Sequence, residues 1–415
     1  MTDAPSLQLV EQHIIRRGDA RWGAIDAASF AAKNLYNAGN YRLRQEYIFK
    51  HRYIPFEELD KSFKQADLLP DQQLPSKVVQ QVLRQLDHDW RSFFAAQAEW
   101  EACPEKFTGR PKLPQYKHKT EGRNLLVYTE KAYFVRELRK GIVRLSGLGV
   151  VAQTKQREID QVRIVPHKTH YSVEVIYRRA IEPAKGLRSD LVAGGDLAVD
   201  VLLALTSNKP GFTPLLVSGR PLKFINQGYN QHRAELQSRL PKGQSTSRQL
   251  EALTDHRNRR IKTELHRCSR LVINQIVHEG IGTLLIGKND AWKQNVNMGS
   301  RNNQNFVSIP HAKFIDMLTY KANLVGIRLI VTNESHTSKC SFLDLEPVCH
   351  HEVYVAQRLK RSLFRAADGR TIHADVNASY NILRKVIPDA FAKGTGAAVV
   401  QPVRVYPRAN VKALV

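Results

Sequence analysis

Between residues 22 and 52, Ala24, Ile25, Ala28, Ala31, Leu35 and Ala38 recur at helical spacing, interleaved with Lys33, Asn34, Arg42 and Arg44. This predicts one long amphipathic helix. A second helix is predicted after Leu74-Pro75-Ser76, with Ser76 as its cap and a stripe of Val78, Val82, Leu86, Trp90 and Phe93 or Phe94. Such a stripe reads as core, so Trp90 and Trp100 are expected to be packed and not stacked on bases. From Asn124 to Arg178 the pattern changes to strands: Leu125–Tyr128, Ile142–Leu145, Val162–Ile164 and the alternating Tyr171–Tyr177. They predict a small β-barrel, with the helical stretch as an insertion and Pro183–Ser189 as the boundary to the C-terminal half.

The C-terminal half has another rhythm. Strands are predicted at Leu191–Leu197, Val201–Thr206 and Pro214–Val217. A long basic helical stretch, roughly Phe224–Glu279, comes next with a break near Pro241. Then come a strand at Gly282–Ile286, a helix around His311–Val325, a strand at Ile327–Thr332 and a last helix from Asp375. Three antiparallel strands and then helix–strand–helix–strand–helix is the element order of an RNase H-like α/β domain. The predicted fold class is α+β multidomain. In an RNase H-like fold the ends of the first, fourth and fifth strands meet the start of the last helix, so Asp196 and Asp375 are expected to meet.

Length and charge narrow the function. A chain of 415 residues exceeds one ordinary core. Its formal charge of +24 opposes compaction unless a polyanion is present, which points to nucleic acid. No apolar run approaches the ~18 residues of a spanning helix. The start shows no secretory pattern. The four cysteines form no CxxC and read as reduced thiols. A cytoplasmic, nucleoid-associated protein that acts as a monomer is expected. The segment from Lys106 to Lys119, broken by Gly109, Pro111 and Pro114, alternates basic and aromatic residues. Lys106, Arg110, Lys112 and Lys117 are candidate phosphate contacts, although a solvated linker has a similar look. Arg257, Arg259, Arg260, Lys262 and Arg267 crowd one helix and are candidates to line a nucleic-acid channel.

Several segments together resemble the TnpB family, insertion-sequence proteins related to type V CRISPR effectors. They are Lys33-Asn-Leu-Tyr-Asn37, Phe107-Thr-Gly-Arg-Pro-Lys112, Gly195-Asp196-Leu197, Arg259 to His266, Thr337-Ser-Lys339, and Asp375-Val-Asn-Ala-Ser-Tyr-Asn-Ile382. The resemblance covers nearly the whole chain. It implies a wedge barrel beginning at 1–20, a helical recognition lobe at 21–105, the rest of the wedge at 106–182 and a RuvC-like nuclease domain at 190–415. That last domain would hold the basic helical insertion at about 224–279 and a degenerate zinc-ribbon or lid insertion at about 340–369. The implied activity is DNA cleavage directed by a guide RNA, so guide RNA and target DNA are the expected partners.

The chain departs from that pattern in three places. Gly287 stands where the family has its strand-four glutamate, the ribbon cysteines are reduced to Cys340 and Cys349, and Gly195 precedes the first-strand aspartate. Some relatives carry the glutamate displaced beyond strand five, which here selects Glu334. Asp196, Glu334 and Asp375 are therefore the expected catalytic residues and ligands for Mg²⁺ or Mn²⁺, the oxygen set that two-metal phosphodiester hydrolysis uses. Glu334 also reads as an ordinary loop acid and Asp290 is a rival ligand. Asp200 reads as part of the hairpin, and His336 as a polar loop residue. The Asn-rich stretch Trp292–Phe306 is expected to be a loop beside the site. No zinc is expected, and Glu352–Leu363 is predicted to be a short basic helix acting as a lid. The alternative is a nuclease-inactive RNA-guided binder that acts as a repressor or roadblock. A strand-joining transposase fits less well, since the chain has no His-x-His arrangement with a tyrosine.

Overall fold

The alternation of apolar and polar positions is realised as two units. The computed structural model describes residues 5–65, 74–289, 309–391, 394–395 and 398–407. It divides into Gln8–Arg179 and a second unit of Met1–Leu7 with Ala180–Val415. Asp290 and the Asn-rich stretch Trp292–Phe306 lie outside the described residues.

In the first unit, strand β1 (Ser6–Arg16) leads into helix α1 (Trp22–Lys50), which buries Ile25, Ala28, Ala31, Ala32, Leu35, Tyr36 and Leu43. His51 ends α1 in the left-handed region; its N–H bonds back to the carbonyl of Tyr47, and that of Arg52 to the carbonyl of Glu46. A shorter helix, α2 (Phe56–Gln65), precedes α3 (Ser76–Ala102). Ser76 is not the cap of α3. Pro75 holds that position in an extended conformation, and its carbonyl accepts from Val78 and Val79. Proline's fixed φ sets the turn into the helix, so Ser76 is already its first residue. Trp90 is fully buried among Tyr47, Tyr53, Phe93 and Phe94 and donates to Asn40. It is core.

The remaining elements of this unit are β2 (Leu126–Thr129), α4 (Val135–Leu138), β3 (Ile142–Arg144), β4 (Val151–Gln153), β5 (Gln161–Pro166) and β6 (His170–Ala180). They pair as an open four-stranded sheet, β1-β6-β5-β2, and a separate β3-β4 hairpin.

The second unit is organised by a six-stranded mixed sheet. Its elements are β7 (Arg188–Asp196), β8 (Val201–Ser207), β9 (Leu215–Ser218), α5 (Arg220–Ser238), α6 (Arg248–His278), β10 (Ile281–Gly287), α7 (His311–Leu324) and β11 (Arg328–Thr332). They continue with β12 (Gln357–Lys360), β13 (Leu363–Arg365), β14 (Thr371–His373), α8 (Ala374–Val386) and β15 (Val403–Val405). The sheet runs β11-β10-β7-β8-β9-β15. β7, β8 and β9 are antiparallel neighbours, whereas β10 runs parallel to β7, and β11 to β10. Ile286 lies beside Gly195, and Gly287 beside Thr332. The C-terminal ends of β7, β10 and β11 therefore finish side by side.

α6 and α7 cover one face of the sheet through Ile261, Leu265, Val272, Phe314 and Leu318, packed with Ala193, Leu284 and Ile286. α8 covers the other, where Ile382 meets Val192 and Leu285. Buried side chains on alternate strand positions thus point into two different apolar layers, as strands covered on both faces require. The predicted helix at Glu352–Leu363 does not form. Gln357–Lys360 and Leu363–Arg365 are instead β12 and β13, and β13 pairs with β14. Local composition favoured a helix, but burying Phe364 and Ile372 as a cross-strand pair outweighed it.

Candidate active site and nucleic-acid interface

Asp196 is the last residue of β7, paired with Ala204. Asp375 sits in the first turn of α8, where the helix dipole favours a carboxylate. His373 caps that helix, its Nδ1 accepting from the Asp375 N–H at 3.3 Å. Accepting there requires the neutral ring, and burial indeed lowers the His373 pKa. α8 reaches Asp196 because the strand carries glycine. A Cβ on Gly194 would lie 2.5 Å from the Ser379 carbonyl, and the Ser379 hydroxyl donates to the Gly194 carbonyl at 2.8 Å. Only glycine permits that approach of helix to strand.

Glu334 lies just beyond β11 and folds back over the end of β10. A Cβ on Gly287 would meet the Glu334 Cβ and Oε2 at 3.0 Å each. The carboxyl of Glu334 thus fills the space that a side chain at 287 would occupy. Asn289, just past β10, clamps it from both sides. Its Nδ2 donates to Glu334 Oε1 at 3.4 Å, and its Oδ1 accepts from the Glu334 N–H at 3.2 Å. Oε2 is buried without a hydrogen-bond partner.

The three acids share one electrostatic environment. Burial raises the Asp196 pKa well above the usual range, the charges of Asp375 and Glu334 raise it further, and Arg358 opposes them. Burial likewise raises Asp375, countered by His373, Arg358, Arg361 and Arg404. Burial pushes Glu334 up to about 7, countered by Lys385. Such a group of acids is costly as three free charges and favourable around a cation. The donor set, all carboxylate oxygen with one orphaned buried atom, fits a hard divalent ion. Among the described residues, no three His, Cys, Asp or Glu side chains close into a cage for one. Mg²⁺ seldom uses such a cage, because it keeps waters and binds one or two carboxylates plus substrate phosphate.

Above these acids opens a cavity of about 980 Å³. Glu334 and Asp375 line it together with Arg220, Lys223, Phe224 and Gln227 of α5, Arg358 and Arg361 of the β12–β13 hairpin, and Arg404 of β15. Asp200, read as a hairpin residue, accepts from Lys223 at 2.6 Å and pairs with Arg361 at 3.1 Å. His336 lies beside His350 on the loop after Glu334. The α5 and β15 side chains and Asn289 were missed as site residues, whereas Arg358 and Arg361 belong to the segment read as a basic lid and stand on a hairpin instead of a helix. Their one sequence signal is the crowding of basic residues, because they converge only through the sheet.

The predicted nucleic-acid contacts divide by environment. Lys106, Arg110 and Lys112 are exposed, with Lys106 paired to Glu99 and Arg110 over the Trp100 ring. Lys117 is turned inward over Tyr36, and burial lowers its pKa. Its backbone is held in both directions by Asn37, while Asn40 and Arg44 hold Pro114. The basic strip is therefore strapped along α1. On α6, Arg260, Lys262 and Arg267 are exposed, Arg267 beside Glu264. Arg257 donates to Asn226 at 2.8 Å, and Arg259 pairs with Asp255 at 3.1 Å. Both are half-buried; Arg257 ties α6 to α5, whereas the Arg259 pair lies within α6.

Comparison with known proteins agrees with this architecture. Residues 170–293 match a family described as a probable transposase, OrfB of IS605 type. Residues 311–382 match the TNB domain of Cas12f1-like proteins. No curated protein sequence matches the chain. The fold is similar to that of Cas12f1 in a complex with single guide RNA and target DNA. The TM-score is 0.55 and the identity 13%, over 87% of this chain and 82% of that one. A weaker likeness, TM-score 0.48 at 10% identity, covers 91% of this chain and 92% of the mini-RNA-guided endonuclease CRISPR-Cas_phi3. Both family matches, together with the α+β multidomain fold shared with Cas12f1, agree with the motifs first read from the sequence: the chain is TnpB-like.

Proposed function

We propose that the protein is an RNA-guided DNA endonuclease associated with a mobile element, its C-terminal unit an RNase H-like (RuvC) domain and its N-terminal unit a wedge with a helical recognition lobe. The observation that carries the nuclease reading is Glu334 filling the space over Gly287, which supports a strand-four acid supplied from strand five. Asp196, Glu334 and Asp375 would hold Mg²⁺ or Mn²⁺. Bound there, the ions supply charge neutralisation at the attacking and leaving oxygens of a phosphodiester. The protein's own groups do the rest. Asn289 fixes the Glu334 carboxyl, Gly194 lets α8 bring Asp375 to Asp196, and Arg358, Arg361 and Arg404 present cations to the phosphates. Guide RNA and target DNA are the proposed partners, with the positive charge of the whole chain as the attracting field.

One observation favours a second reading, a nuclease-inactive guided binder: the described acids do not close into a three-ligand cage. One experiment separates the two. Full-length protein with its co-expressed RNA is given Mg²⁺ and a plasmid bearing the target. Linearisation, reduced at least ~100-fold by Asp196→Ala, Glu334→Ala and Asp375→Ala, is the expected result. Tight binding with no cutting by the unaltered protein leaves the second reading.

A further inference from the structure

α5 has two faces of different character. One buries Leu222, Ile225 and Asn226. The other carries Arg220, Lys223, Phe224 and Gln227, all lining the cavity above the carboxylates. Their spacing, i, i+3, i+4 and i+7, places them on one helical stripe. Phe224 is 70% exposed, an aromatic ring on the face turned away from the apolar core. Cations line the same cavity: Arg220 and Lys223 on its own helix, Arg358 and Arg361 from the hairpin and Arg404 from β15, with Lys223 and Arg361 paired to Asp200. Arg404 also keeps a buried Nη1 without a hydrogen-bond partner. Leaving so large an apolar ring in a cationic cavity is unfavourable for a site that takes only ions or phosphate. It suits a ligand that brings a flat apolar face and a phosphate chain together.

We propose that Phe224 is a base-stacking residue that positions one unpaired nucleotide of a single strand over the carboxylates, with the surrounding arginines on its phosphates. The inference rests on the nuclease reading for its setting and deepens it by naming a residue that grips the strand: Phe224 takes an unpaired base, since paired bases already stack on one another and offer no free face. Gln227, one turn further along α5, supplies an amide at the base edge. Stacking tolerates every base, so Phe224 contributes grip without sequence preference.

The test uses the full-length protein with its co-purifying RNA, in EDTA so that no hydrolysis occurs. The probe is an oligothymidylate carrying one 2-aminopurine, whose fluorescence reports stacking, presented as a single strand or annealed to its complement. For the single strand, Phe224→Ala is expected to abolish the fluorescence change and weaken binding by about 5- to 100-fold. Phe224→Trp is expected to restore both, and duplex binding to stay within about twofold. The proposal is overturned if Phe224→Ala binds the strand as the unaltered protein does, or if it weakens strand and duplex alike. Stacking lost in Phe224→Ala but no plasmid cleavage by the unaltered protein supports Phe224 and sinks the nuclease reading. Cleavage with no effect of Phe224→Ala on the strand does the reverse.

Discussion

A side chain at 287 and the one at 334 compete for one volume. The methyl of Gly287→Ala would press 2.5 Å from Ile382 Cδ1 and 3.0 Å from Glu334. Gly287→Glu alone is therefore expected to lower the melting temperature and reduce cleavage. Combined with Glu334→Ala, the same change puts a carboxyl back at the end of β10. That double variant is expected to recover at least about tenfold of the cleavage lost in Glu334→Ala alone. Additive losses in a plasmid assay would show that the two positions do not share a role. The resemblance read from the sequence placed an acid at 287 and offered Glu334 as its substitute. It could not show that the two occupy the same space, which depends on how β10 and β11 are registered. A second residue-scale test concerns Lys321, 3% exposed, which donates to the His266 carbonyl and the Ser269 hydroxyl. Burial, assisted by Arg270, lowers its pKa to about 8. Between about pH 8 and the ordinary 10.5 the unfolded chain holds a proton that the folded one lacks, so stability rises with pH in that window. The full penalty, about 3 kcal/mol, applies below pH 8. Denaturant unfolding at pH 8 and 10 should show that rise, and Lys321→Met should flatten it.

At the scale of elements, the segment after Glu334 is tied down by carboxylate and amide groups. Glu346 is 4% exposed, and its two oxygens accept from the backbone N–H of Ser341 at 2.7 Å and of Val355 at 3.0 Å. From α8, Asn377 bonds Phe342 and Cys340, Asn381 bonds Thr337 and Cys340, and Arg384 holds the carbonyls of Leu345 and Glu346. Glu346→Ala leaves two backbone donors unpaired and should cost about 2–4 kcal/mol, measured by denaturant unfolding. In buffer without added Mg²⁺ or Mn²⁺, EDTA should leave the unfolding midpoint of the unaltered protein unchanged. A large drop would mean that a metal ion shares the task. This knot was not legible in the chain because the bonds from α8 join groups far apart in sequence, and those of Glu346 follow no period. The β12–β13 hairpin escaped although its pairing is short-range, because local composition favoured a helix. Helical and strand periods are read within one segment, whereas its pairing with β14 joins two segments.

The positive charge of the whole molecule should make nucleic-acid binding fall steeply with salt. Replacing an exposed cation of α6, Arg260 or Lys262, by alanine should reduce the slope of log K against log salt by about 1 for each phosphate that the side chain neutralises. Arg257→Ala should instead lower stability with little change in slope, because its guanidinium is spent on Asn226 and Asn258. Binding titrations at several salt concentrations, beside thermal melts, distinguish the two outcomes.

The sequence by itself determined where most helices and strands lie, that the chain carries a positive charge suited to a polyanion, and that Asp196 and Asp375 are the acids to test. Those properties are written in periodicity, in charge and in short motifs, all of which survive being read one segment at a time. Tertiary structure alone decided that Glu334 lies over Gly287, that Arg257 and Lys117 turn inward, and that Phe224 looks into a cavity. Each of these depends on which surfaces tertiary packing brings together, and a side chain's neighbours in space leave no regular trace along the chain.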